Sequence, residues 1–164
     1  MAMNSLKDIY LDQLQDLYSA CEQSKAVTEE LHKVAKNEEL RAALAAGVEG
    51  IGEGMEELAG LCQTHGIDPG GEHCKAMEGM AAEARMHVLE EDFGDDDVRD
   101  AMIITQYQRM AHYAIAGYGS LKAFARRLEL EDDEEVLDEC LDACYDGDDR
   151  MTDIATGEVN QAAA

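Results

Sequence analysis

The sequence contains no tryptophan, a single proline and only two phenylalanines in 164 residues. Its apolar share rests on Ala, Leu and Met. That composition argues against a β-sandwich or barrel, whose strands favour aromatic and β-branched side chains. No run of 18 apolar residues occurs, so no segment is expected to span a membrane. Met1 to Tyr10 lacks the basic and apolar regions of a signal peptide, so a cytoplasmic protein is expected. Basic residues are also scarce: 13 Lys and Arg stand against 37 Asp and Glu, a formal net charge of -24. Such a field repels nucleic-acid phosphates and anionic membranes. It also repels itself, and salt relieves this over a Debye length of ~8 Å at physiological ionic strength and ~3 Å at 1 M. A halophilic, salt-rich cytoplasm is the expected setting, and an acidic surface for an unidentified protein partner is the alternative.

The five cysteines, Cys21, Cys62, Cys74, Cys140 and Cys144, are odd in number and include no C-x-x-C pair. A disulfide framework is therefore not expected. Cys140 and Cys144 are four apart and share a face if their segment is helical.

What the sequence does have is helical periodicity over its whole length, which predicts one domain, residues 1–164. From Leu6 to Ala35, the residues Leu14, Leu17, Cys21, Ser24, Thr28, Leu31 and Ala35 recur at three and four. Asn37 and the acidic Glu38-Glu39 look like the cap of a second helix with the stripe Leu40, Leu44, Val48, Ile51, Met55, Leu58 and Cys62. Gly66 and Pro69-Gly70-Gly71 close it. A shorter helix is predicted from Glu72 to Glu91. Asp95-Asp96-Asp97 then offers cap oxygens for a third long helix, roughly Val98 to Leu128, with Ile103, Gln106, Met110, Tyr113, Gly117 and Leu121 inward. A turn at Leu130 to Asp133 leads to a last helix, Glu134 to about Gln161, with Leu137, Cys140 or Leu141, Cys144, Met151 and Ile154 inward. Four long helices with a short one between the second and third describe an all-α, ferritin-like four-helix bundle.

In such bundles a dinuclear iron or manganese centre needs inward Glu and Glu-x-x-His sets from several helices. The single Glu-x-x-His, Glu29 to His32, lies one step off the inward stripe and reads as a solvated face. A zinc set of Cys62, His65, His73 and Cys74 has the right ligand types but not the usual spacing. His112 lies near the apolar stripe of the third long helix and reads either as an interior hydrogen-bonded residue or as a ligand. Gly47, Gly50 and Gly54 form a bare stripe in the second helix, where each glycine costs up to ~1 kcal/mol against Ala. A neighbouring helix or a ligand approaching closely would explain it. Nucleotide-binding loops and hydrolase triads are absent.

Several stretches resemble the ferritin-like bacterial family typified by the YciF and YciE stress proteins. Leu17-Tyr18-Ser19-Ala20 is similar to the family's Leu-Tyr-x-Ala, and Glu39-Leu40-Arg41-Ala42-Ala43 to its Glu-Leu-Arg-x-Ala. Cys74-Lys75-Ala76-Met77-Glu78-Gly79-Met80 resembles its Cys-x-Ala-Met-Glu-Gly-Leu. Most specific is His112-Tyr113-Ala114-Ile115-Ala116-Gly117-Tyr118-Gly119-Ser120-Leu121, similar to its His-Tyr-Glu-Ile-Ala-x-Tyr-Gly-Thr-Leu. The departures fall where the resemblance places inward acids. Cys21 follows Leu-Tyr-x-Ala in place of Glu, and Gly47-Val48-Glu49-Gly50-Ile51 replaces His-Leu-Glu-Glu-Thr. Ala111-His112-Tyr113-Ala114 replaces Glu-His-Tyr-Glu, and Ala143-Cys144 replaces a Glu-Glu pair.

The resemblance therefore implies a homodimeric stress-response module with a degenerate di-iron site, no cofactor and no ferroxidase activity. The centre it implies is emptied and lined by Gly47, Gly50, Gly54, Ala111, Ala114 and Ala143. Two alternatives follow. The emptied centre binds a soft metal through Cys21, Cys140, Cys144 and His112, or a small apolar ligand. Or residual carboxylates, Glu22, Glu49 and Glu53, hold metal at a displaced site.

Overall fold

The computed structural model describes residues 3–164, and among these every regular element is helical. Helix α1 runs Leu6–Val34 and starts at a reciprocal cap: the Ser5 hydroxyl accepts from the Asp8 amide while the Asp8 carboxylate accepts from Ser5. All seven residues of its expected stripe, from Leu14 to Ala35, are buried. Helix α2, Glu38–Thr64, is capped by the Asn37 side chain on the Leu40 amide, and Gly66 at φ 69 lets the chain leave it.

Helix α3, Lys75–Arg85, begins later than the expected Glu72, because the Cys74 sulfur caps the Met77 amide. Its end widens into a π-type turn, Met86–Glu90. Helix α4, Asp96–Arg127, is capped by Asp95. Helix α5, Glu131–Ile154, starts inside the segment expected to form the turn. A single left-handed residue, Glu129 at φ 59, reverses the chain within fewer residues than the sequence suggested. A second π-type turn, Ala155–Val159, and a last helical turn, Asn160–Ala162, complete the chain.

Helix α1 packs on α2, α4 packs on α5, and the two pairs meet through α1 on α4 and α2 on α5. Helix α3 crosses beside α1 and α4. This is a ferritin-like bundle with a helical crossover. Leu14, Leu31, Leu44 and Leu58 are fully buried, each contributing ~1.5–3 kcal/mol.

Two aspartates close the ends. Asp100 is fully buried, and its two oxygens accept the amides of Lys36 (3.0 and 3.2 Å) and Asn37 (2.6 Å), fastening α4 to the α1–α2 turn. At the opposite end, Asp133 Oδ2 accepts from Tyr10 and from His65 Nε2, both at 2.6 Å. The Lys7 ammonium, which has only hydrogens to give, donates to His65 Nδ1 at 2.9 Å, leaving the Nε2 proton for Asp133. This chain of bonds ties α1 to the end of α2 and the start of α5.

Candidate functional site

Between those ends, α2 presents its bare stripe to α4. A Cβ built on Gly47 would stand 2.6 Å from the Tyr107 hydroxyl, and one on Gly54 would stand 2.6 Å from that of Tyr118. Two of the three glycines are thus bare because a tyrosine occupies the space a side chain would need. Gly50 differs, for a Cβ there meets nothing within 4 Å. It borders a cavity of about 460 Å³ lined by all four long helices. Gly47, Gly50, Gly54, Ala111, Ala114 and Ala143, the residues expected around an emptied centre, all line it. Its exposed charged residues, Glu53, Glu57, Glu139, Asp146 and Arg150, come from α2 and α5, so the mouth lies between those helices.

Cys21, Cys140 and Cys144 also line the cavity. The Tyr118 hydroxyl lies 3.8 Å from Cys21 Sγ and also reaches the Cys140 thiol. Burial pushes the thiol of Cys21 up to about 12 and those of Cys140 and Cys144 up to about 11. At neutral pH all three are protonated, whereas thiolates are the form that binds metal.

His112 does not join them. One residue beyond Ala111, α4 has turned it away from the cavity, and its exposed ring meets Asp148 Oδ2 at 2.8 Å through Nε2. The inward placement expected for it is therefore corrected. Of the residual carboxylates, Glu53 borders the cavity, while Glu22 and Glu49 are exposed and do not. The four candidate zinc ligands are engaged separately. His65 bonds Asp133, His73 bonds Glu78 at 3.0 Å, Cys74 meets the Tyr113 hydroxyl at 3.0 Å, and Cys62 is fully buried. Among the described residues, no three His, Cys, Asp or Glu groups converge to hold a metal ion.

The residues that sequence reasoning missed are Tyr107 and Tyr118. Their spacing with Ala111 and Ala114 is a second apolar stripe on α4, hidden behind the one drawn through Ile103, Met110 and Tyr113. Tyr107 is only 8% exposed, and its hydroxyl has no hydrogen-bond partner among the described residues. Burial pushes its pKa up to about 12, so it keeps its proton and remains a donor.

The sequence pattern of a family described as a domain of unknown function, DUF892, matches residues 5–164. The chain belongs to the DUF892 family. It is 30% identical over 164 residues to the protein YciF of Escherichia coli K12, covering 99% of this chain and 98% of that one. The crystal structure of the E. coli stress protein YciF superposes with a TM-score of 0.89 at 30% identity, over 96% of this chain and 99% of that one. YcfI of Rhodopseudomonas palustris, described as a candidate structural protein, superposes with a TM-score of 0.85 at 28% identity, over 91% and 94% of the two chains. The DUF892 relationship thus spans the whole bundle, including the segments that form the cavity.

Proposed function

We propose that the chain is a YciF-type stress protein whose di-iron site is degenerate, and that it works as a non-catalytic structural or binding module. One observation carries this reading. The buried and half-buried side chains facing the middle of the bundle are thiols, tyrosines, hydroxyls and apolar groups, the carboxylates Glu53, Glu57, Glu139 and Asp146 stand exposed at the mouth, and among the described residues no three metal-capable side chains converge. Fe2+ and Mn2+ are hard cations that need several oxygen ligands. Positions 21, 50, 111, 114 and 144 carry no carboxylate, and the acids at the mouth do not converge to bridge two ions. Neutral thiols at buried Cys21 and half-buried Cys140 and Cys144 favour packing over soft-metal capture. The reading includes a salt-rich cytoplasmic setting, supported by the charge of -24, and a homodimer, which the resemblance to the YciF and YciE family implies.

The test is anaerobic addition of Fe2+ to metal-free protein in high salt, followed by desalting, metal analysis and exposure to air. Iron is expected to be lost on desalting and to oxidise no faster than in buffer, with light scattering giving twice the 18.0 kDa chain mass. Two retained irons per chain would contradict the reading and assign a displaced site to Glu53 and its neighbours.

A further inference from the structure

We propose that the cavity at the middle of the bundle is a binding site for a small, uncharged and largely apolar molecule carrying a hydrogen-bond acceptor such as a carbonyl. The proposal rests on the reading that this centre holds no metal. The cavity's 460 Å³ falls within the ~300–1,000 Å³ of small-molecule sites, which are mostly apolar with a few placed polar groups. Here the apolar wall includes Ile51, Met110, Ala111 and Ala114, and the placed polar group is Tyr107.

Tyr107 is 8% exposed, and its hydroxyl, which has no partner among the described residues, opens onto the cavity and is available to donate to a molecule held there. It sits between α2 and α5, 2.6 Å from a Cβ built on Gly47 and 4.0 Å from one built on Gly147, and both glycines line the cavity. Tyr118, against Gly54, has only sulfur neighbours within bonding reach, and sulfur is a weak acceptor. Gly47 and Gly54 are two helical turns apart, about 10 Å, so the cavity is elongated with a phenol donor towards each end.

Charge selects further. The mouth carries Glu53, Glu57, Glu139 and Asp146 against the single cation Arg150, and this excludes anions. Nothing at the apolar wall would pair a buried cation, which leaves neutral molecules.

Prodan, a neutral naphthalene ketone with environment-sensitive emission, is a suitable probe. Anionic anilinonaphthalene sulfonate serves as its control, both in high salt with a metal chelator present. Prodan is expected to bind saturably at one per chain with blue-shifted emission, and the sulfonate at least about tenfold more weakly. Gly50→Leu places a side chain in the open space beside Gly50, with a gain in helix propensity, so the variant is expected to stay folded and lose prodan binding. Tyr107→Phe removes the donor and is expected to weaken binding about fivefold to tenfold. Absence of saturable binding to the parent chain overturns the proposal, as does undiminished binding to a folded Gly50→Leu variant. If added Fe2+ is retained and displaces prodan, the metal-free reading falls; if neither binds, that reading stands and only this inference falls.

Discussion

Asp100 and Asp133, the buried acids among the described residues, lie at opposite ends of the bundle, each satisfied by donors of the chain itself. The middle, where a ferritin-like fold would concentrate carboxylates, has none buried, and its tyrosine hydroxyls are unpartnered or meet only sulfur. The difference follows from what each acid would need. A buried carboxylate is tolerable when amides, a phenol or an imidazole donate to it, and very costly when they do not. The ends supply such donors from the chain. The middle would need metal ions, and Cys, Gly and Ala at the facing positions remove that need together with the acids. What is left is a bundle fastened at its ends and open at its waist.

The largest loss of stability is expected at an end. Asp133→Ala strands the Tyr10 hydroxyl and the His65 ring and is expected to cost ~3–5 kcal/mol in urea unfolding at fixed salt. A loss under about 1 kcal/mol would show that the end network does not hold the helices. Smaller effects sharpen the contrast within the waist. Gly50→Ala is expected to raise stability by up to ~1 kcal/mol, since helix propensity improves and a Cβ there meets nothing. Gly47→Ala brings a Cβ against Tyr107 and is expected to lower stability by ~1 kcal/mol. Equal effects in urea melts would mean that the two glycines share one environment.

Much of this was legible in the sequence, for identifiable reasons. The α1 stripe was read correctly because that helix buries one face against a continuous core, so its period of 3.6 is unmixed with other constraints. The glycines were visible as departures from helix propensity, and Gly50 stands where the family motif has an acid. Asp100 and Asp133 were not legible. Each lies among other acids near the start of a helix, where acids are common on exposed surface, and only the tertiary contact with Lys36, Asn37, Tyr10 or His65 distinguishes them. Tyr107 and Tyr118 were missed because α4 is apolar on two faces, one towards α1 and α3 and one towards the cavity. His112 was misplaced for the same reason: one residue, or about 100° of helix, separates it from cavity-lining Ala111.

The ends are paired and the waist is not, and the same substitution made at Tyr10 and at Tyr107 separates the two. Each Tyr→Phe change removes one hydroxyl and leaves the ring, so unfolding free energies measured side by side report what each hydroxyl's surroundings contribute. The account predicts a loss of ~1.5–3 kcal/mol for Tyr10→Phe, whose hydroxyl donates to Asp133, and a change within ~0.5 kcal/mol for Tyr107→Phe. Equal losses at the two positions would contradict it, because the Tyr107 hydroxyl would then have a partner and the waist would be as tightly bonded as the ends.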